Sequence, residues 1–192
     1  MEIDEKSLWN QKYSEGSHTS LSPDPLLVSA HQEFLSAQPA GNALDVAGGV
    51  GRHALWLAQR GWQVKLMDIS EVGVRRAEEN AKAAGMAASI STEVRDLNAM
   101  PDLGCKQYDL VLVFFFLQRS LFPALIATLK PGGVLLYKTY TTEQRRFSGG
   151  PSHPTFLLQT NELLHAFSPL RILHYHESGQ GKGVAGLIAK KS

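Results

Sequence analysis

Residues 42–60 read NALDVAGGVGRHALWLAQR, and this stretch decides the fold. An apolar strand over 43–47 runs into a glycine turn, Gly48-Gly49-Val50-Gly51, and the turn opens a helix. Glycine takes positive φ without a steric penalty and lets backbone N–H groups come within contact distance of a ligand. At the carboxyl end of the first strand of an open α/β sheet, such a turn is the usual nucleotide crevice.

The turn admits two ligands. Gly49-x-Gly51-x-x-Ala54 fits the dinucleotide fingerprint, and Asp68 follows near the expected distance of about 20 residues. Asp45, four residues before Gly49, separates the readings. A pyrophosphate at this helix N-terminus would be repelled by a neighbouring carboxylate. S-adenosylmethionine has no phosphate and carries sulfonium and ammonium groups, so a carboxylate there is favourable. The charge argument favours the methyl donor.

Working outward, the chain alternates. Gly61 stops the first helix, residues 63–68 (QVKLMD) read as a second strand, and Ser70 is placed to cap a helix over 71–84 that Gly85 ends. A third strand is expected at 89–96, and a fourth, apolar on both faces, at 108–116. A short helix over 121–130, a Pro131-Gly132-Gly133 turn and a fifth strand over 134–140 follow. Strand–helix alternation at this spacing means a doubly wound parallel sheet. Then a short helix at 161–167 precedes strands at 170–177 and 184–190. Six residues join those strands, too few for a crossover helix, so they form an antiparallel hairpin.

Before the central stretch, residues 1–40 read as a helical leader and a possible lid, and 41–192 as the ligand-binding domain. Residues 9–13 (WNQKY) suggest one or two helical turns, 14–25 a loop, and 25–36 a helix. At 192 residues, 43% hydrophobic and 19% charged, the chain has the composition of a soluble globular domain. The longest apolar run, 110–117, is far below transmembrane length, and the acidic N-terminus lacks a signal-peptide pattern; a cytoplasmic protein without a membrane partner is expected. Cys105 is the only cysteine, and no metal site is expected. The net charge of +1 counts against a nucleic-acid partner.

At this point the chain resembles the class I S-adenosylmethionine-dependent methyltransferases. The likeness covers about residues 40–192 and rests on 44–51 (LDVAGGVG), Asp68, Asp96, 129–134 (LKPGGV) and the terminal hairpin, in that order. Within them it is similar to a small single-domain group that includes tellurite-resistance-type enzymes, through 9–13 (WNQKY), 114–119 (FFFLQR), and 146–151 (RFSGGP) followed by 156–158 (FLL). The resemblance implies a Rossmann-like, mostly parallel seven-stranded sheet of order 3-2-1-4-5-7-6. It implies that Asp68 accepts from both ribose hydroxyls, Ile69 packs on the adenine, Asp96 accepts from the adenine amino group and the Leu97 N–H meets a ring nitrogen. Ala47, Gly48, Gly49, Val50 and Gly51, with Asp45, would line the methionine end, and the Phe114 carbonyl would meet its ammonium. Ala47 stands where many methyltransferases have a glycine; alanine suits that position if φ is negative.

Methyl transfer from a sulfonium is an in-line displacement that needs alignment and a dry pocket, with a general base only when the nucleophile must lose a proton. No universal catalytic residue is required. Candidates for the acceptor side are Trp9, Tyr13 and His18 in the leader, Gln118 and Arg119 after strand four, and Tyr140, Arg145, Arg146, His153 and Phe156 in the 139–156 loop. Tyr13, Arg146 and His153 are the candidate catalytic groups. The arginines suit an oxyanion or carboxylate acceptor. His165, His174 and His176 read as surface positions. The expected partner is a small-molecule acceptor, with the chain a monomer or homodimer. Two other readings compete. A NAD(P)-dependent oxidoreductase lacks a Tyr-x-x-x-Lys pair here, since Thr141 and Gln144 follow Tyr137 and Tyr140 by four. A non-catalytic methyltransferase-like scaffold has no need of the cofactor acids. A nucleic-acid methylase motif of the Asn/Asp-Pro-Pro-Tyr/Phe type does not follow strand four.

Overall fold

The computed structural model describes residues 4–37, 39–99 and 102–192. Its seven strands form one sheet of order β3-β2-β1-β4-β5-β7-β6, with β3–β2, β2–β1 and β4–β5 paired in parallel and the last two steps antiparallel. The chain divides into two compact units, Met1–Pro101 and Asp102–Ser192.

In the N-terminal unit, α1 (Glu5–Ser14) is longer than the turn or two that 9–13 suggested, because the Asp4 side chain caps it by accepting the Ser7 N–H. Such a cap contributes about 1 kcal/mol. Next, α2 (Pro25–Ala30) has Asp24 as N-cap and proline at its first position, and it continues as a wider π-type turn over His31–Leu35. The strands β1 (Asn42–Val46), β2 (Gln63–Asp68) and β3 (Ile90–Val94) pair in parallel, with α3 (Arg52–Ala58) and α4 (Glu71–Ala83) as crossovers. Ser70 caps α4 by accepting the Gly73 N–H, as its position implied. The third strand is shorter than expected: β3 is an edge with Val94 43% exposed, and its ends leave the ladder.

In the C-terminal unit, β4 (Tyr108–Phe114) is the apolar strand, buried at all but one position. It stops two residues early because Phe115 turns to φ +58°. A single turn over Arg119–Leu121 leads into α5 (Phe122–Thr128). Then β5 (Leu129–Tyr140) absorbs the Pro131-Gly132-Gly133 turn as an irregularity, its register jumping from Tyr108↔Leu129 to Leu110↔Val134. After the 141–158 loop come α6 (Glu162–Ala166), β6 (Arg171–Ser178) and β7 (Val184–Lys190), the last two forming the expected hairpin. Tyr137, Phe122 and Phe167 pack ring against ring in this unit's core, with centroids 5.1–5.8 Å apart. Among the described residues, no helix is long and apolar enough to cross a membrane.

Candidate active site

The glycine turn is held by the protein's own backbone. The Gly48 N–H donates to the Met67 carbonyl (3.1 Å), and the Gly51 N–H to the Gly48 carbonyl (3.0 Å). A Cβ at Gly48 would stand 2.7 Å from Leu66 Cγ and 2.9 Å from Asp45 Cγ; one at Gly51, where φ is +82°, would stand 3.0 Å from Ala77 Cβ. These glycines let the turn sit down on β2 and α4. Ala47 corrects the sequence reading: its φ is +55°, not negative. It adopts the left-handed conformation that a glycine would take, at a cost of roughly 1–2 kcal/mol. Two flanking bonds over-determine the turn and hold it there, the Gly48 bond and one from Gly49 to Asp68.

Two buried carboxylates flank the turn. Asp68, 4% exposed, accepts the Gly49 N–H on Oδ2 (2.8 Å) and the Ser70 N–H on Oδ1 (2.8 Å). Burial pushes its carboxyl above the usual carboxylate range, against the pull of the Ser70, Gly49 and Ile69 N–H groups. Asp68 thus ties the end of β2 to the turn, and with three N–H groups on about four lone-pair sites it keeps room for a further donor. Asp45 is 1% exposed. The Ala54 N–H bonds to its carboxyl group, but Oδ2 finds no hydrogen-bond partner among the described residues. Burial raises its pKa to about 7; Arg52 and the Ala54 N–H oppose that rise, and Asp68 adds to it. A buried acceptor left without a donor is costly, so this site is suited to a ligand that brings positive charge.

Helix α1 packs against this turn within the same unit. Tyr13, 6% exposed, lies between two glycines: a Cβ at Gly49 would meet its hydroxyl at 2.4 Å, and a Cβ at Gly73 its Cε2 at 2.9 Å. Burial, and then the Asp68 charge, push its pKa up, so Tyr13 stays a phenol at neutral pH. Side-chain links fasten α1 to the rest of its unit. Lys6 pairs with Glu71, Asn10 Oδ1 accepts from Ser70 Oγ (2.6 Å), and Asn98 Nδ2 donates to Glu5 (2.7 Å). Trp9 stacks near Tyr13 (5.6 Å) and His18 (5.5 Å) and carries the Lys12 ammonium over its ring. Val50 is buried and its carbonyl accepts from Asn80. Ile69 is half-buried and Leu97 buried, while Asp96 is exposed and accepts the Asn98 N–H (2.8 Å).

The sequence reading missed Asn10, Ser70 as its partner, and Gly73. A glycine in the interior of a good helix was the available signal for the last. It also missed His53, 3% exposed, whose Nε2 accepts the Asp24 N–H (3.3 Å) and so fastens the entry to α2 onto α3.

In the C-terminal unit Arg119 is fully engaged by protein. Its Nε and Nη2 grip Glu162 (2.5 and 2.9 Å), and Nη1 and Nη2 donate to the Thr155 and Leu157 carbonyls (3.0 and 2.9 Å). It is a loop clamp, which redirects the acceptor-side expectation for this residue to the loop it holds. The two neighbouring arginines do not act alike: Arg146 pairs with Glu143 (2.6 Å), whereas Arg145 donates only to the Ser152 carbonyl (3.2 Å). His153 Nδ1 accepts the Thr155 N–H (3.4 Å) and its ring lies 6.2 Å from Phe156, which is 42% exposed. Tyr140 packs on Phe115 (5.1 Å). Phe114 ends β4 beside Lys138, and Gln118 is half-buried. His165, His174 and His176 are exposed.

A doubly wound sheet of this order, with acids at the ends of β1 and β2 around a glycine turn, defines the class I S-adenosylmethionine-dependent methyltransferase fold. Residues 43–133 match the family model described as a methyltransferase domain. The cosubstrate of the class is S-adenosylmethionine. The tRNA 5-carboxymethoxyuridine methyltransferase of Escherichia coli (strain K12) is 33% identical over 105 residues, covering 50% of this chain and 39% of that protein. The chain therefore spans well under half the length of the curated relative it matches. TehB from Haemophilus influenzae has a TM-score of 0.74 at 20% identity, covering 95% of this chain and 67% of that one. A SAM-dependent methyltransferase from Aquifex aeolicus has a TM-score of 0.64 at 19% identity, covering 88% and 94%. Both structural likenesses are likenesses of fold.

Proposed function

We propose that this chain binds S-adenosylmethionine at the glycine turn and transfers its methyl group to a small acceptor bearing negative charge, an oxyanion or a carboxylate. The observation that carries the reading is Asp45: a buried carboxyl oxygen without a donor among the described residues, beside a turn that a phosphate-bearing cofactor would have to approach. Asp68 and Ile69 would hold the ribose and adenine, with Asp96 and the Leu97 N–H at the adenine edge. Asp45 and the 47–51 backbone would hold the methionine end, with the Phe114 carbonyl as a further acceptor for its ammonium. The bound donor supplies an activated methyl group, so the chain's residues have to orient the acceptor and exclude water. Buried Tyr13, between Gly49 and Gly73, suits water exclusion. Acceptor selection is assigned to Tyr140, Arg145, Arg146 and His153 in the loop that Arg119 holds; among the described residues Arg145 pairs with no carboxylate. His153 is the candidate base for an acceptor that must lose a proton, and Trp9 a candidate apolar wall.

A second acceptor class, RNA, is favoured by a specific observation. The overall charge of +1 hides a polarisation: residues 102–192 carry ten Lys and Arg against five Asp and Glu, and residues 1–101 nine against thirteen. Charge asymmetry between halves is a feature of nucleic-acid binders, and the curated relative acts on tRNA by its name.

Calorimetric titration with S-adenosylhomocysteine tests the cofactor reading, with NADH in parallel. Wild type binds the former at micromolar concentration, and Asp68→Ala weakens that binding by at least tenfold. Tight NADH binding alone returns the site to a dinucleotide. Methyl-transfer assays with oxyanions, thiols and bulk tRNA then separate the acceptor classes.

A further inference from the structure

The Asp45 carboxyl group has a consequence beyond the identity of the cofactor. One of its oxygens is satisfied by the Ala54 N–H, while Oδ2, 1% exposed with the rest of the residue, has no partner among the described residues. The charged and titratable groups facing it come from three elements: Arg52 at the start of α3, Asp68 at the end of β2, and Tyr13 of α1. Arg52 favours an ionised Asp45. Asp68 opposes it, and Tyr13 stays neutral. Two carboxylates and one guanidinium leave the turn with an excess negative charge out of water, a state that a proton on Asp45 relieves. A ligand bringing a cation to Oδ2 relieves it equally.

We propose that cofactor binding is coupled to the release of a proton from Asp45: below neutral pH the carboxyl group is mostly neutral in the ligand-free protein, and it ionises when the ligand's ammonium stands beside it. The proposal rests on the cofactor reading above. The O–H bond of the carboxylic acid breaks, its electron pair stays on the carboxylate, and the proton leaves to buffer. No oxidant or other reactant is involved.

Calorimetry in two buffers of different ionisation enthalpy counts the protons. With a free-state pKa of about 7, titration with S-adenosylhomocysteine at pH 6.0 should release about 0.9 proton per ligand, falling to about 0.2 at pH 7.5. Affinity should rise about eightfold over the same interval. Asp45→Asn should abolish the release and flatten the pH dependence. Should that variant fail to fold, infrared difference spectra of wild type give the same answer. The carbonyl stretch of a protonated carboxylic acid is lost on ligand addition. Binding that is equal at both pH values, with no buffer-dependent heat, overturns the coupling and leaves the cofactor reading intact. Proton release retained in Asp45→Asn overturns the assignment to Asp45. Absence of binding at every pH overturns the cofactor reading, and the coupling with it.

Discussion

The wedge of Tyr13 between two glycines is best tested through Gly73, which lies in the interior of α4. At an unencumbered helix position, replacing glycine by alanine stabilises by about 1 kcal/mol. Here the added methyl would land 2.9 Å from Tyr13 Cε2 and 3.1 Å from Cδ2, with the Gly49 carbonyl carbon at 3.5 Å. The ring has no room to step aside, since its hydroxyl already fills the place of a Gly49 Cβ and the residue is 6% exposed. Overpacking of this kind costs about 1–3 kcal/mol. Gly73→Ala is therefore neutral to destabilising by about 2 kcal/mol in the wild-type background. In Tyr13→Ala the obstacle is gone, and the same substitution stabilises by about 1 kcal/mol.

The coupling between the two sites should then be about 1–3 kcal/mol, read from urea unfolding of the four proteins of the cycle. Limited proteolysis supplies an independent readout, because displacing Tyr13 unseats α1 and should expose the 15–24 segment to cleavage. Equal effects of Gly73→Ala in both backgrounds, within about 0.5 kcal/mol, refute the wedge and reduce Gly73 to an ordinary helical glycine.

Other expectations follow from single residues. Ala47→Gly removes the left-handed penalty of roughly 1–2 kcal/mol but adds unfolded-chain entropy worth about 0.4–1 kcal/mol, so urea unfolding should show a net gain of about 0.5 kcal/mol. Arg119→Gln releases the Thr155 and Leu157 carbonyls and Glu162. Protease cleavage within 147–156 should accelerate, while affinity for S-adenosylhomocysteine stays at the wild-type value; unchanged cleavage would mean that the loop is held without Arg119, by ties such as Tyr140–Leu158, Thr142–Leu158, Gln144–Gly149 and Arg145–Ser152.

Much of the fold was legible because its signals are local. The bounds of β2 and β7 follow from apolar runs between breakers, and Ser70 and Gly85 punctuate α4 by capping chemistry that acts within a turn of the chain. What escaped depends on partners distant in sequence. The length of α1 reflects Asp4, a local cap, but also Asn10 and Lys6 reaching residues some sixty positions on. Arg119 read as an open cation, and only the folded chain brings Glu162, 43 residues on, to it; Arg146 read so too, although its partner Glu143 lies three positions back and needs only the helical turn over 142–146 to reach it. Ala47 failed for a related reason. Its φ is imposed by Gly48 and Gly49 being tied to β2, a constraint that residue type does not announce.

The glycine turn was recognisable as a ligand site, yet most of its residues have reasons internal to the protein. Gly48 admits Leu66, Gly51 admits Ala77, Gly49 admits Tyr13, and Asp68 ties the turn to β2. Each would be selected for packing even without a ligand. Asp45 Oδ2 is different: it is buried, it carries or can carry charge, and the described chain gives it nothing to bond. A buried acceptor without a donor costs free energy in every fold that contains it, so its justification has to come from outside the chain. A pyrophosphate beside the ionised carboxylate would make that cost larger and a cation would remove it. The choice between dinucleotide and sulfonium therefore turns on one oxygen atom, and the glycines that first drew attention to the turn are compatible with either.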